Sequence, residues 1–163
     1  MFERYKIPAI ILSVLTALVV YFYLQVDWEA RAIRKQFDEL VELVEKDGPV
    51  STFESAGRGR KIVDFFTENP SVEYVPGRKL PMDLSSMSGA FISVWSRIDK
   101  ASVRISRHEI EIVGARAVST VTARCSVIID GTDRMGGSFD YRIRWLRLEG
   151  EWRVQSLVAL SAN

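Results

Sequence analysis

The stretch from Ala117 to Leu160 constrains the fold more than any other part of the chain, because it alternates apolar and polar residues through three successive long β-strands. Leu148-Glu149-Gly150-Glu151 sits between two apolar runs and reads as a tight hairpin, with Gly150 able to take the positive φ such a turn needs. Closing the loop on Glu149-Gly150 sets Leu148 opposite Glu151. The register then predicts the pairs Trp145–Val154, Ile143–Ser156, Tyr141–Val158 and Phe139–Leu160 on one mostly apolar face. Arg142, Arg144, Arg153 and Gln155 fall on the other face, so one side of the sheet is core and the other is wet.

The preceding strand, Ala117 to Ile129, presents Ala117, Ser119, Val121, Ala123, Cys125 and Val127 on its apolar side. The first residues of that wall are small, which either lets a helix pack close, the expectation here because interiors are usually filled, or leaves a hollow. Asp130-Gly131-Thr132-Asp133 and Gly136-Gly137 read as a turn-rich connection to the next strand.

At the other end, Ile7 to Leu24 is apolar apart from Ser13, Thr16, Tyr21 and Tyr23. A run of about twenty such residues at helical rise spans the ~30 Å core of a bilayer. Residues 1–27 are therefore expected to be a short tail and a single membrane anchor, longer than the apolar region of a cleaved signal peptide, and residues 28–163 a folded domain. Arg4 and Lys6 precede the run, whereas Asp27 and Glu29 come first after it. That asymmetry predicts an inner-membrane protein with its N-terminus inside and its domain outside the cytoplasm. With Lys and Arg numbering 22 against 21 Asp and Glu, no global field points to nucleic acid, and a lone cysteine excludes an intrachain disulfide.

From Trp28 to Lys46 no Gly or Pro interrupts a helical pattern whose stripe is Trp28, Ile33, Phe37, Leu40, Val41 and Val44, with Arg34–Asp38, Lys35–Glu39 and Glu42–Lys46 spaced as surface ion pairs. The anchor is expected to run straight into this helix, and Asp47-Gly48-Pro49 to end it. Ser51-Thr52-Phe53-Glu54 forms a capping box for a second helix with Phe53, Ala56, Val63 and Phe66 inward, weakened by Gly57 and Gly59 and closed by Asn69-Pro70. Ser71 to Val75 reads as a brief strand. Asp83 caps a third helix with Leu84, Met87, Phe91, Val94, Trp95 and Ile98 along one side. Ser102 to Val113 is strand-like, but its phase slips near Arg107-His108, which predicts a bulge or a turn there.

This order of elements is an α+β pattern, with helices gathered on one face of a curved antiparallel sheet. On the long helix Trp28–Lys46, the strands Glu109–Val113, Ala115–Ile129 and Gly137–Leu148, and the closing Glu149-Gly150-Glu151-Trp152-Arg153-Val154, residues 28–160 resemble the NTF2-like (SnoaL-like) superfamily. The resemblance implies a cone-shaped half-barrel wrapped by about three helices. That superfamily holds isomerases, dehydratases and hydrolases beside transport factors and secretion-apparatus subunits without an active site, so fold does not choose among them.

An enzyme in such a cone needs a buried acid or base. The inward face of the strands offers Ser119, Ala123, Cys125, Tyr141 and Trp145, joined by Trp95 of the third helix, as a pocket lining with neither carboxylate nor imidazole. His108 is the only histidine, and the phase slip leaves its direction open. No cluster has metal-ligand spacing, and no loop has phosphate-binding context, so neither metal nor cofactor is expected. Gly57-Arg58-Gly59-Arg60-Lys61 reads as a solvated helix start, with lipid-headgroup contact as the sharper alternative. Arg124, Arg142, Arg144 and Arg153 form an outward surface that is either a solvated face or one suited to a protein partner or a second copy. The expected function is that of a membrane-anchored interaction or assembly module. A small apolar ligand, or SnoaL-like catalysis in the cone, is the alternative.

Overall fold

The computed structural model describes residues 6–80, 83–129, 131 and 133–162, and among these all side chains except those of residues 6–12, 22, 25–27, 133–135 and 161–162. Within them lie three helices, α1 (Lys6–Val44), α2 (Thr52–Asp64) and α3 (Leu84–Ser96), and seven strands. The strands are β1 (Lys46–Asp47), β2 (Phe66–Val75), β3 (Arg78–Lys79), β4 (Ile98–Val113), β5 (Arg116–Ile129), β6 (Asp133–Leu148) and β7 (Glu151–Ala162), in one sheet ordered β1-β4-β5-β6-β7-β2-β3.

The β6–β7 hairpin closes as the sequence predicts, with Leu148 opposite Glu151, Trp145 opposite Val154, and Glu149 and Gly150 both at positive φ. Beyond Trp145 the expected register fails. Irregularities after Arg144 and after Asp140 pair Ile143 with Leu157, Tyr141 with Ala159 and Phe139 with Ala162. Each slips β7 by a residue, so Leu157 joins the core and Ala159 is buried while Leu160 is exposed. Such bulges bend a strand and raise its twist, which curls a flat meander into a cone.

β4 carries the slip its phase implies, between Ile105 and Arg107. Val103 before it and Ile110 and Ile112 after it all reach the core, while Ile105 turns outward. β6 starts at Asp133 instead of Gly137. The glycines meant as loop are ladder, because a Cβ at Gly136 would meet the Cys125 carbonyl oxygen at 2.7 Å. β2 is also longer than expected: Asn69-Pro70 lies inside the strand and not at a helix end. The sheet is not wholly antiparallel, since β2 runs parallel to β7, with Phe66 opposite Val154 and Ser71 opposite Ser156 around an irregularity that absorbs the proline.

α1 is one unbroken helix through the expected boundary between residues 27 and 28. Among the described residues no helix is long and apolar enough to cross a membrane, and Ile7–Leu24 includes residues 7–12 and 22, whose side chains lie outside those described. On the domain half, Ile33, Phe37 and Leu40 are buried as predicted, but Trp28 is 72% exposed. Glu29 takes the inward position at that level and pairs with Arg147 of β6. Lys35–Glu39 forms at 3.7 Å, whereas the Lys46 amine leaves Glu42 and donates to the carbonyl oxygens of Trp95 and Ile98.

Ser51 caps α2 through the Glu54 N–H, and Asp83 caps α3 through the Ser86 N–H. α2 does not break at its glycines. Gly59 faces α3, where a Cβ would lie 2.7 Å from Ile92 Cγ1, so the glycine sets how closely the two helices approach. That contact turns Ser55, Gly59 and Ile62 inward and leaves Phe53 90% exposed, against its predicted place in the core. Val94 is likewise exposed, while Met87 and Trp95 carry the buried side of α3.

Candidate functional site

The concave side of β5 and β6 faces α1 across a hollow that β5 lines with Ala123 and Cys125. An apolar cavity of about 220 Å³ is bounded by Phe37, Leu40, Val41 and Val44 of α1, Met87 and Phe91 of α3, Val72 and Tyr74 of β2, and Ala123, Cys125, Tyr141 and Ile143 of the sheet. Of the predicted lining, Ala123, Cys125 and Tyr141 are present. Phe37 and Phe91 form walls and do not plug the space. A second, wider groove between α1 and α2 is open and charged, lined by Glu39, Glu42, Glu54, Arg58 and Lys61 around Phe53.

Polarity inside the cavity is confined to one edge. The Tyr141 hydroxyl donates to the Tyr74 carbonyl at 3.3 Å and lies in hydrogen-bonding contact with the Cys125 thiol. Burial raises the pKa of Cys125, with the Tyr141 contact opposing, and burial followed by the neighbouring thiol raises that of Tyr141. Both groups are neutral at physiological pH, so they can offer a ligand hydrogen bonds but not charge.

Ser119 and Trp145 do not line the cavity. They lie deeper, in a polar chain that sequence reasoning left incomplete: Trp145 Nε1 donates to Ser119 Oγ at 2.9 Å, and Ser119 Oγ lies 3.2 Å from His108 Nε2. The bulge in β4 turns His108 inward, and the Phe37 ring meets its edge at 4.8 Å between centroids. Burial lowers the His108 pKa, the Arg34 charge lowers it further, and Asp38 opposes. The imidazole is neutral at pH 7 and the Ser119 hydroxyl completes its bonding. Ser119 is fully buried, and neither it nor His108 lines the cavity, where the Phe37 ring that meets His108 forms part of the wall.

Trp95 also lies away from the cavity, against the far end of α1. Its Nε1 donates to the Val44 carbonyl at 3.2 Å, and its ring sits 4.5 Å from Lys46 Nζ and 5.0 Å from the Arg58 guanidinium carbon. Arg58 donates to the carbonyl oxygens of Glu42, Leu43 and Glu45 and to the Glu54 carboxylate. The basic patch at its centre is thus a clamp on the C-terminal end of α1, where a cation meets the helix dipole, and not a solvated helix start. No local signal in the sequence links Arg58 to Trp95.

Of the predicted outward arginines, Arg124, Arg142 and Arg144 are exposed, while Arg153 is held by the Asp64 carbonyl and Glu151. Among the described residues no group of His, Cys, Asp or Glu could hold a metal ion.

No protein-family model matches the chain, and no curated protein matches its sequence. Solved structures do match. Kfla4162 of Kribbella flavida superposes with a TM-score of 0.66 at 18% identity, over 85% of this chain and 95% of its own. An NTF2-like superfamily protein of Salmonella enterica gives 0.64 at 10%, over 82% and 91%. The fold is NTF2-like. A proposed dehydratase of the NTF2-like family from Streptomyces avermitilis also superposes, with a TM-score of 0.65 at 10% identity over 82% of this chain and 96% of its own. At these identities the likeness shows the NTF2-like fold alone. The described lining of this NTF2-like cone contains no carboxylate and no imidazole.

Proposed function

We propose that the cone binds a small apolar molecule, and that the N-terminal helix holds the domain at a membrane. The observation that carries the first part is the apolar cavity of about 220 Å³ between α1, α3 and the sheet, lined from β5 by Ala123 and Cys125. That volume lies below the ~300–1,000 Å³ of drug-sized sites, which favours a monocyclic or short aliphatic ligand. Tyr141 and Cys125 supply one hydrogen-bonding edge. Binding is preferred over turnover because the described lining holds no carboxylate or imidazole, and its thiol and phenol are held neutral, although a neighbouring NTF2-like structure is a proposed dehydratase. Ala123→Leu tests this: a panel of monocyclic aromatic compounds should include members that raise the melting temperature of the wild-type chain, and the added side chain should remove that shift. If no panel member binds, or if Ala123→Leu binds as well as wild type, the reading fails.

Anchoring is supported by the apolar run Ile7–Leu24 and by the exposure of Val14, Leu15, Leu18, Val19, Val20 and Leu24, which no described residue of the domain covers. Arg4 and Lys6 before the run and Asp27 and Glu29 after it support a domain outside the cytoplasm. External protease on spheroplasts should digest it; protection of the domain would reverse that topology.

A second reading, association through the outer face of the sheet, draws on a separate pattern. Arg142 and Arg144 on β6 stand two strands, ~10 Å, from Glu109 and Glu111 on β4, with Thr120 and Val118 between them. A two-fold related copy would set each arginine stripe against the other's acidic one, even though Glu109 already meets Arg107 at 2.6 Å. Arg142→Glu with Arg144→Glu should abolish self-association measured by sedimentation and leave the fold intact. Unchanged sedimentation would exclude this surface.

A further inference from the structure

We infer that the tips of the β4–β5 and β6–β7 hairpins form a foot that rests in the interface of the bilayer beside the anchor; this rests on the anchoring reading above. Contacts fix the direction of the sheet against α1. The Glu45 carboxylate accepts from the Val103 N–H, Phe37 meets His108, and Glu29 pairs with Arg147, whose own N–H donates to the Ala115 carbonyl. Going down α1 toward its N-terminus therefore means going along β4 toward Val113. From Phe37 to Glu29 is ~12 Å at helical rise, while from His108 to Val113 is ~16 Å of extended chain. The five residues of β4 from Val103 to His108 match the eight of α1 from Glu45 to Phe37, so the strand is tilted and Val113 lies about level with Glu29, while Leu24, where the apolar run ends, lies ~7–8 Å beyond it.

The hairpin tips therefore reach to ~7–8 Å from the end of the apolar run, a gap comparable with the headgroup layer on one side of a bilayer. What they present there fits that layer. Val113, the last residue of β4, is 81% exposed, Leu148 is 39% exposed at the other tip, and Trp28 is exposed at the same level on α1. Arg116 is exposed beside Val113, placed to meet lipid phosphate. Glu149 and Glu111 add negative charge nearby, so the proposed contact is apolar insertion with an arginine at the phosphate level, not a polybasic patch.

The test uses the full chain with Cys125→Ala, carrying an environment-sensitive fluorophore on a cysteine placed at Val113, Leu148, Tyr21 or Phe53, in vesicles of equimolar phosphatidylcholine and phosphatidylglycerol. Lipid-borne nitroxides should quench the Val113 and Leu148 labels most from headgroup depth. The Tyr21 label should also be quenched, and the Phe53 label, on the pole far from the anchor, should not. If the Tyr21 label is quenched but the two tip labels behave like the Phe53 label, the anchor stands and the foot is wrong. If the Tyr21 label is not quenched, anchoring itself fails and the foot with it. A photoactivatable lipid with the unsubstituted chain gives an independent readout. Adducts on peptides spanning 113–116 and 148–150 are expected, and adducts confined to the N-terminal run would overturn the proposal.

Discussion

Two glycines of α2, one helical half-turn apart, make opposite predictions from the same substitution. In an exposed helix interior alanine is better than glycine by ~0.8–1.0 kcal/mol, because the glycine backbone loses more freedom on folding. At Gly57 a Cβ would meet nothing within 4 Å, so Gly57→Ala should gain most of that amount. At Gly59 the same Cβ would lie 2.7 and 2.9 Å from Ile92 Cγ1 and Cδ1 and 3.2 Å from Ser88 Oγ. Overpacking a fitted contact costs ~1–3 kcal/mol, so Gly59→Ala should come out between neutral and ~2 kcal/mol destabilised. For a chain of this size 1 kcal/mol moves the melting temperature by ~2–4 °C. Gly57→Ala should therefore melt a few degrees higher and Gly59→Ala as much as ~8 °C lower, both read by circular dichroism in one detergent. Adding Ile92→Ala to Gly59→Ala should restore part of the loss by making room. Equal stabilisation by both alanines would refute the close α2–α3 contact.

Other consequences follow from the buried polar groups. His108 has its folded pKa below 6.5, so the unfolded chain binds the proton first; stability should fall as pH drops below about 6.5 and level off only once the folded imidazole charges. His108→Asn should flatten that slope in denaturant titrations at stepped pH, and an unchanged slope would clear His108. Arg58→Met keeps the stem over Trp95 but removes the donors to three carbonyl oxygens, and should cost ~2–3 kcal/mol in urea unfolding. Cys125, raised in pKa by burial, should react with iodoacetamide at pH 8 more slowly than a free thiol and more slowly still with the cavity occupied. Mass-spectrometric rates unaffected by a bound ligand would place that ligand elsewhere.

Features decided by neighbours in sequence were legible before the structure. The caps at Ser51 and Asp83 need only residues three positions on. The wall Ala117–Ser119–Val121–Ala123–Cys125 follows from a period of two, and the slip in β4 announced itself as a change of parity. Features decided by distant partners were not. Nothing near Phe53 or Trp28 says that its side of the helix lacks a neighbour, since apolar spacing marks a possible core face but cannot show what arrives to cover it. Lys46 and Arg58 look like surface charges until Trp95 and the end of α1 are brought beside them. The site divided along the same line. Ala123, Cys125 and Tyr141 were readable as lining, but the same inward pattern also gave Ser119 and Trp145, which lie deeper; the inward turn of His108 required the bulge to be placed to the residue, and the hollow itself is a volume left by helices whose packing the sequence does not print.

The parallel pairing of β2 with β7 bears on how the chain reaches this state. Phe66 and Ser71 find their ladder partners at Val154 and Ser156, near the far end of the sequence. β2 and β3 therefore have no sheet to join until β7 has folded onto β6, while β4, β5 and β6 can zip in order from local hairpins. Until that late closure, the apolar side chains of Phe66, Val72 and the cavity wall face solvent. The same chamber that is proposed to hold a ligand is thus an aggregation hazard during synthesis, and a molecule that binds it would stabilise the closing step as well as the finished fold.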